Sequence, residues 1–334
     1  MAAAVATQPH NLPLLVTPET CRARTYIVTG ANTGLGLEAA RHLVRLGSAT
    51  VIMAVRDPSS GPRALADIES STGISGVAQV WELDLSSYAS VIAFVKRATE
   101  ELDRIDAVIE NAGVASGERI MKEGHLLTIT VNVISTILLG VLLLPKLKES
   151  GERFGILPHL VIVTSRVSFD FGEDWMKIKD DPIVNSNLEE MTPKAYPLSK
   201  LLEIMAIRHL TGLLPLQQTG VVINLVCPGL CKTDLSRSVP PGLRERIAKQ
   251  KEQYGRTAED GSRTLLYGAV AGEESHGCLL ESCTIAEYVQ IVATFCYYAD
   301  TLTKEFNTEL GNRLGRQEIA EDCLGRYCSG AGND

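Results

Sequence analysis

Short β-branched apolar runs alternate along the chain with longer segments in which apolar residues recur at helical spacing. Six of the short runs predict buried strands, at residues 26–29, 51–55, 77–83, 107–109, 160–164 and 221–226. The helical segments between and after them are residues 35–46, 63–70, 88–101, 125–147 and 196–213. This alternation predicts an α/β fold with a single Rossmann-type, doubly wound parallel sheet and helices on both of its faces.

The pattern weakens at both ends of the chain. Residues 1–24 contain three prolines and no strong periodicity, so we expect a loose N-terminal extension. We expect residues 25–334 to form one domain, in which the polar segment 235–256, with Pro240-Pro241-Gly242, is a substrate lid. The pattern beyond the lid predicts a helix at 257–271 and a last strand at 278–281.

Composition excludes several classes of function. The chain has 334 residues, a formal net charge of -8 and no block of Lys or Arg, which disfavours a surface for nucleic acid or anionic lipid. The most apolar segment, residues 129–144, is interrupted by Asn132, Ser135 and Thr136 and is shorter than the roughly 20 residues of a membrane span. We expect a buried helix there and a cytoplasmic protein.

The eight cysteines are scattered without the spacing of a zinc site. Cys227 and Cys231 form one of the closest pairs, and Cys323 and Cys328 form another, but neither pair has a second pair or a suitably placed histidine. We expect free thiols in a reducing compartment and no bound metal.

A glycine-rich turn, Gly30-x-x-x-Gly34-x-Gly36, follows the first predicted strand and opens the first predicted helix. Glycines let a backbone turn tightly and approach a pyrophosphate, which the N-terminus of the helix stabilises. Asn32 and Thr33 in the same turn can add side-chain hydrogen bonds. The context of strand, turn and helix predicts a dinucleotide site rather than an ordinary loop.

The residues after the second strand bear on the choice of cofactor. An acid about 20 residues beyond the glycines would hold a ribose 2′-hydroxyl, but Val55 occupies that position and Arg56 follows. A guanidinium there can clamp a 2′-phosphate, which favours NADP(H) over NAD(H). Two alternatives stay open: Arg56 is a solvated surface charge, or Asp57 turns inward and opposes a phosphate.

Two further groups follow strands of the predicted sheet. Asp84-Leu85 comes after the third strand and Asn111-Ala112-Gly113 after the fourth, where strand ends meet a ligand in such folds. Asp, Asn and Gly also favour turns without any ligand.

Several motifs appear together in one order, and this chain resembles the short-chain dehydrogenases/reductases from about residue 25 to residue 290. The motifs that carry the resemblance are Thr29-Gly30-x-x-x-Gly34-x-Gly36, Asn111-Ala112-Gly113, Asn132, Ser165, Tyr196-x-x-x-Lys200 and Pro228-Gly229-x-x-x-Thr233. Tyr196-Pro-Leu-Ser-Lys200 and Gly255-Arg-Thr-Ala-Glu-Asp-Gly261 are most similar to the retinol-dehydrogenase-like branch and its relatives in fungal secondary metabolism.

The resemblance implies a catalytic group of Asn132, Ser165, Tyr196 and Lys200. Carbonyl reduction needs a proton for the oxygen as negative charge grows there, and Tyr196 is the natural donor. A phenol has a pKa of about 10, so a cation at i+4, Lys200, is useful because it lowers that pKa. In the family the lysine also holds the nicotinamide ribose, the serine fixes the substrate oxygen, and the asparagine supports a water beside the lysine.

The same resemblance extends the cofactor site beyond the glycine turn. The predicted cofactor-binding residues are Gly30, Asn32, Thr33, Gly34, Leu35, Gly36, Arg56, Asp84, Leu85, Asn111, Ala112, Gly113, Tyr196, Lys200, Pro228, Gly229 and Thr233. Asn132 has an ordinary alternative, because asparagine in an apolar helix can simply bond neighbouring backbone.

Three departures from the family pattern stand out. Glu110 precedes Asn111, where the family often has Asn, and an acid there alters hydrogen bonding at the sheet edge. Arg166 follows Ser165 and either pairs with an anion of cofactor or substrate or points to solvent. A long insertion before Tyr196 includes Phe169, Phe171, Trp175 and Met176, which either wall the substrate pocket or pack on the core.

The expected function is NADPH-dependent reduction of a ketone or aldehyde of a mostly apolar small molecule, or the reverse oxidation. Two alternatives use the same pocket: a dinucleotide-binding sensor or scaffold without turnover, and a redox-neutral isomerase or cyclase. The resemblance also implies a homodimer through the helices at 129–147 and 196–213, although their apolar stripes could simply cover the sheet.

Overall fold

The structure is a computed structural model that describes residues 5–286. Eight strands form one sheet, and two short ones form a separate hairpin. In chain order the strands are β1 Thr25–Thr29, β2 Thr50–Val55, β3 Ala78–Glu82, β4 Ala107–Glu110, β5 Met121–Lys122, β6 His125–Leu126, β7 His159–Val163, β8 Val222–Cys227, β9 Leu279–Glu281 and β10 Thr284–Ile285.

Helices connect the strands and cover both faces of the sheet. They are α1 Pro18–Cys21, α2 Gly34–Arg45, α3 Gly61–Thr72, α4 Tyr88–Glu101, α5 Leu127–Phe154, α6 Gly172–Ile178, α7 Pro182–Asn185, α8 Ala195–Leu213, α9 Leu216–Thr219, α10 Pro241–Tyr254 and α11 Ala258–Gly268. Short 3-10 turns occupy several of the connections, including Arg166–Phe171 and Glu189–Lys194.

The strand order in the large sheet is β3-β2-β1-β4-β7-β8-β9-β10. All neighbouring pairs are parallel except β9 and β10, which are antiparallel. The connections run in opposite directions from β1 and from β4, so a crevice opens between the carboxyl ends of these two strands. The predicted doubly wound fold is confirmed, as are the six predicted strands and the last one.

The central strands form because their runs of Val, Ile and Leu are buried on both faces. Every residue of β1, β4, β7 and β8 is buried, as expected of parallel strands between two helical layers. One layer of core packs on α4, α5 and α8, and the other packs on α2, α3 and α11. The sheet therefore gives the crevice a rigid floor.

The long helix α5 differs from the prediction at both ends. His125 and Leu126 form strand β6 of a hairpin, so the helix begins later than expected, and it continues to Phe154. It contains a π-helical turn at Thr130–Ser135. Within residues 5–286, α5 alone has the length and apolarity to cross a membrane, and 89% of its most apolar window is buried inside the fold.

The N-terminal segment is not the loose extension that the sequence predicts. Leu12 and Val16 are buried, and both Asn11 and Leu12 donate backbone hydrogen bonds to the Asp260 carboxylate. The Gln8 side chain donates to the Leu230 carbonyl at 2.9 Å and accepts from the Leu230 N–H at 2.9 Å. Two apolar anchors and repeated polar contacts fix this segment against the domain, which an unpatterned, proline-containing sequence does not reveal.

The last part of the domain follows the predicted order. The helix expected at 257–271 is α11, and the polar segment before it contains α10, a helix with no buried side chain. The Cys323 and Cys328 pair and the end of the predicted domain lie outside the described residues.

Candidate active site

The glycine turn places backbone at the mouth of the crevice. Gly30 and Gly34 have positive φ values of 65° and 58°, a conformation that favours glycine. A Cβ on Gly36 would lie 2.6 Å from the Asn111 amide nitrogen and 2.6 Å from the Gly30 carbonyl oxygen, so only glycine fits. Helix α2 then begins at Gly34 and points its free backbone N–H groups into the crevice. The turn has the shape that a pyrophosphate needs.

The end of β4 is hydrogen-bonded to the glycine turn. The Asn111 side chain donates to the Thr29 carbonyl at 2.9 Å, and the Ala112 N–H donates to the Thr29 hydroxyl at 2.8 Å. Asn111 therefore shapes the crevice through the polypeptide itself. Gly113 faces inward, because a Cβ there would lie 3.8 Å from the Lys200 ammonium nitrogen.

Asp84 is engaged in its own turn. Its carboxylate accepts from the Ser86 N–H at 2.9 Å and from the Ser86 hydroxyl at 2.9 Å, the turn chemistry that the sequence left as an alternative. Asp84 and Leu85 nonetheless line the crevice. They can contact a ligand without losing the turn.

The residues after β2 face the rim of the crevice. Val55 is buried, whereas Arg56 is exposed and lines the cavity. The Asp57 carboxylate accepts from the Ser59 N–H at 2.9 Å, and hydrogen bonds from the Ser59 side chain and backbone lower the pKa of Asp57. Asn32 donates to the Ser60 hydroxyl at 3.0 Å, which ties the glycine turn to this rim. Asp57 therefore caps a turn, and Arg56 is the cation at the rim.

Tyr196 and Ser165 meet on the other side of the crevice. Ser165 follows β7 directly, and Tyr196 lies in the first turn of α8. Burial raises the pKa of Tyr196 above its ordinary value, and the Ser165 hydroxyl opposes this shift. Both side chains are half-buried and line the cavity, so a carbonyl oxygen can reach both hydroxyls.

Lys200 lies one turn further along α8 and is only 5% exposed. Its ammonium nitrogen donates to the Val163 carbonyl at 2.9 Å and lies 2.9 Å from Oε1 and 2.8 Å from Oε2 of Glu203. Burying a cation is costly unless it is paired, and the two partners satisfy this requirement. The amine remains at the wall of the cavity.

Asn132 lies in the π-helical turn of α5 and does not line the cavity. Its carbonyl oxygen accepts from the Val114 N–H at 2.9 Å, and its amide donates to the Val114 carbonyl at 3.0 Å and to the Ser199 hydroxyl at 2.9 Å. Ser199 in turn donates to the Tyr196 carbonyl at 2.7 Å. Asn132 thus joins the loop after β4 to the helix that carries Tyr196.

The loop after β8 closes the crevice. Pro228, Gly229 and Thr233 line the cavity, and the Thr233 methyl group would lie 3.3 Å from a Cβ on Gly34. Arg256, 1% exposed, donates to the carbonyls of Pro228 and Pro9, both at 2.7 Å. This buried arginine fixes the loop and the N-terminal segment to each other.

One cavity of 1870 Å³ joins these elements. All the predicted site residues line it except Asn132 and Gly36, which act on its shape from behind. The structure adds residues that the sequence did not predict, from the N-terminal segment and from helix α10: Val5, Gln8, Leu243, Arg246, Ile247 and Lys251. The polar pattern of residues 235–256 had predicted a lid, which contains α10, but no feature of the sequence predicted that N-terminal residues line the cavity.

The insertion before Tyr196 divides between the two roles left open. Trp175 is fully buried in the core, Met176 is 53% exposed, and Phe169 and Phe171 line the cavity. Arg166 lines the cavity and forms an ion pair of 3.3 Å with Glu281, which lines it as well. The insertion therefore supplies both core and pocket wall.

Glu110 is the last residue of β4 and is 3% exposed. Within residues 5–286 neither of its carboxylate oxygens has a hydrogen-bond partner, so the altered hydrogen bonding expected there is not seen. Burial and the neighbouring Glu203 raise its pKa well above the ordinary value. Glu203 is 1% exposed, and burial raises its pKa to about 7 although Lys200 opposes the shift. A lone acid in the apolar run Leu201–Met205 was the available signal for Glu203.

Residues 5–286 contain no group of three His, Cys, Asp or Glu side chains arranged to hold a metal ion. The five cysteines in this part of the chain are free thiols. Burial raises the pKa of Cys227 to about 12, so this thiol beside the site stays protonated at neutral pH.

The fold and site together define a class. A doubly wound sheet, a glycine turn at its switch point and a tyrosine and lysine on the facing helix constitute a nicotinamide-dinucleotide oxidoreductase architecture.

Comparisons with known proteins identify the family. The family model described as short chain dehydrogenase matches residues 24–170. The chain is 40% identical over 268 residues to the short chain dehydrogenase/reductase dmxR8 of Cryptosporiopsis sp., covering 78% of this chain and 82% of that one. It is 38% identical over 272 residues to the short-chain dehydrogenase anuD of Penicillium roqueforti, covering 80% and 71%. The protein belongs to the short-chain dehydrogenase/reductase family.

Solved structures share the fold. Salutaridine reductase from Papaver somniferum superposes with a TM-score of 0.59 at 20% identity, covering 77% of this chain and 99% of that one. An alcohol dehydrogenase from the archaeon Thermococcus sibiricus, complexed with 5-hydroxy-NADP, has a TM-score of 0.56 at 20% identity, covering 80% and 98%. At this identity the likeness concerns the fold alone.

Proposed function

We propose that this enzyme is an NADPH-dependent carbonyl reductase that converts a ketone or aldehyde of a mostly apolar small molecule into an alcohol, or runs the reverse reaction. The observation that supports it most strongly is the convergence of Ser165, Tyr196 and Lys200 on one wall of the cavity whose opposite wall is the glycine turn. A place in secondary metabolism is proposed from the sequence resemblance, and the two relatives named above come from fungi.

The cofactor residues fit a nicotinamide dinucleotide. The glycine turn leaves space where side chains would block it, and the N-terminus of α2 favours a pyrophosphate. Arg56 at the rim and the absence of an acid at Val55 support a 2′-phosphate, and Asp57 is occupied with Ser59. NADPH, when bound, supplies the hydride.

The protein residues supply the proton and the orientation. In reduction, Tyr196 donates its phenolic proton to the carbonyl oxygen, and the Ser165 hydroxyl holds that oxygen by a second hydrogen bond. The Lys200 ammonium stabilises the tyrosinate that forms, since an opposite charge nearby favours the ionised form. Asn132 holds Tyr196 through Ser199 and thereby positions the group.

The substrate side of the cavity supports an apolar ligand. Leu127, Val131, Phe169, Phe171 and Leu243 line it. We propose that the segment 235–256 is a lid over this region. Its position is held by Lys251, which donates to the Thr233 carbonyl and the Ser236 hydroxyl at 2.6 and 2.8 Å.

The predicted homodimer stays a prediction. Most apolar side chains of α5 and α8 are buried within the chain, against the sheet and the insertion, so they do not by themselves indicate a partner. A cytoplasmic location is likewise proposed from the resemblance and the free thiols.

The direct test is Tyr196→Phe. With NADPH and a panel of apolar ketones and aldehydes, we expect carbonyl-dependent loss of NADPH absorbance that falls by at least about 100-fold in the variant, the usual scale of general acid catalysis. Tyr267→Phe, on α11 outside the cavity, is the matched control and should keep full activity. Undiminished turnover by Tyr196→Phe would refute the mechanism, and tight NADPH binding without turnover across the panel would favour the sensor.

A further inference from the structure

A buried cluster behind the catalytic wall joins Lys200 to two acids that have no part in the mechanism above. It consists of Lys200 and Glu203 on α8 and Glu110 at the end of β4. These side chains are 5%, 1% and 3% exposed. A cation and two acids thus share a site that water barely reaches.

The two acids differ in their partners. Both oxygens of Glu203 lie within 2.9 Å of the Lys200 ammonium nitrogen. Within the described part of the chain, neither oxygen of Glu110 has a hydrogen-bond partner, and one lies against Gly140 of α5, where a Cβ would come within 3.2 Å. Glu110 therefore has no group that would stabilise a negative charge by direct contact.

Charge balance decides where the proton lies. With Lys200 charged, two ionised carboxylates would leave a net negative charge in an apolar core, which is strongly unfavourable. One carboxyl must hold a proton. The ammonium stabilises the ionised form of Glu203 through direct contact, so the proton lies on Glu110.

We propose that Glu203 is a positioning residue that holds the Lys200 ammonium and offsets its charge at Tyr196, with Glu110 as the neutral, protonated neighbour. The proposal rests on the proposed role of Tyr196. It gives Glu203 a function in the proposed reaction although the acid does not line the cavity.

The consequence is that Tyr196 releases its proton less readily. Burial raises the pKa of Tyr196, and the Glu203 carboxylate raises it further. A cation such as the Lys200 ammonium acts in the opposite direction, so pairing it with Glu203 offsets its influence. A tyrosine that keeps its proton at neutral pH is suited to donate it, which favours carbonyl reduction over alcohol oxidation near neutrality.

The ionisable groups that face Glu203 are few. They are Lys200 and Tyr196 on its own helix and Glu110 on β4, while the uncharged Thr164 hydroxyl approaches from the end of β7. The Cys227 and Cys231 thiols act on Tyr196 directly. The titration of Tyr196 is therefore the most direct measurement of a change in charge at Glu203.

The test titrates Tyr196 by the ultraviolet absorbance of tyrosinate, taken as the difference between each protein and the same protein carrying Tyr196→Phe. Glu203→Gln removes the charge and keeps the shape, so we expect the Tyr196 titration, and the acid limb of alcohol oxidation, to move down by roughly one pH unit. Glu110→Gln is the matched buried control and should leave both unmoved. Glu203→Asp keeps the charge and should restore the wild-type titration.

An unchanged titration in folded Glu203→Gln would overturn the proposal, as would an equal shift in Glu110→Gln, which would place the charge on Glu110. If Glu203→Gln fails to fold, Glu203→Asp decides the question. A Tyr196 titration that moves down in Glu203→Asp by the roughly one pH unit expected for a neutral residue would overturn the proposal. Because the tyrosinate titration needs no turnover, it separates this proposal from the proposed reductase activity.

Discussion

The two halves of the cavity are built in different ways. The cofactor half consists of strand ends β1, β2 and β4 with the glycine turn, and its contacts are backbone hydrogen bonds and close glycine approaches. The substrate half consists of the insertion before Tyr196 and helix α10. The insertion contains short helices and 3-10 turns, and α10 is a helix without a buried side chain. The first half tolerates little change, and the second can vary without loss of the fold.

The largest contrast is expected between two glycines. Gly36→Ala drives a Cβ into Asn111 and the Gly30 carbonyl at 2.6 Å, whereas Gly242 in α10 has open space around it. Overpacking costs about 1–3 kcal/mol, or about 5- to 150-fold in NADPH affinity if felt wholly in binding. Fluorescence titration with NADPH measures this loss of affinity, and Gly242→Ala should bind NADPH as tightly as wild type does. Equal affinities for both variants would remove the distinction between the halves.

A second contrast concerns pH. Glu110 keeps its proton in the folded protein at pH values where the unfolded chain loses it, so wild-type stability should fall as pH rises above about 4.5. Gln cannot ionise, so the free energy of unfolding of Glu110→Gln should fall less steeply with pH than that of wild type, by at most about 1.4 kcal/mol per pH unit. The buried Glu203, whose pKa is also raised, accounts for the decline that remains. Urea unfolding at several pH values measures the slope.

The exposed Glu252 of α10 provides the control, because Glu252→Gln removes an acid from the substrate half without touching the core. The unfolding free energy of Glu252→Gln should change with pH as that of wild type does. If the unfolding free energy of Glu110→Gln also changed with pH as in wild type, burial of Glu110 would make no pH-dependent contribution to stability.

The smallest effect is expected in the lid. Leu243 is half-buried and lines the cavity, so Leu243→Ser removes apolar contact from a substrate but little from the core. We expect KM for apolar carbonyls to rise by about fivefold, from a loss of about 1 kcal/mol, with stability unchanged within about 0.5 kcal/mol. Initial-rate kinetics and thermal unfolding together decide it. A large loss of stability with unchanged KM would make α10 part of the core instead of a lid.

The same division explains what the sequence could predict. The strands and the glycine turn were predictable because burial on both faces and positive φ values restrict the residues that fit. Tyr196 and Lys200 were predictable because they match the family motif in its order, and their helical spacing places them on one face. These features depend on local sequence and on the parallel topology it specifies.

The remaining features depend on contacts between distant residues. Gln8 and Arg256 fix the N-terminal segment through partners more than 200 positions away, which no local pattern encodes. The π-helical turn at Asn132 and the pairing of Glu203 with Lys200 beside Glu110 likewise arise only when three elements pack together. Asn132 was predicted for its role in the family, whereas its bonds to Val114 and Ser199 required the structure.

The central claim is net hydride transfer to a carbonyl with a proton from Tyr196. The most direct measurement incubates the enzyme with NADPH deuterated at the transferring position and a substrate from the panel, followed by mass spectrometry of the product. We predict one deuterium on the new carbinol carbon, with formation of NADP in equal amount, and at least about a 100-fold loss of both in Tyr196→Phe. A product without deuterium, formed while NADPH is not consumed, would contradict the account and identify a redox-neutral enzyme.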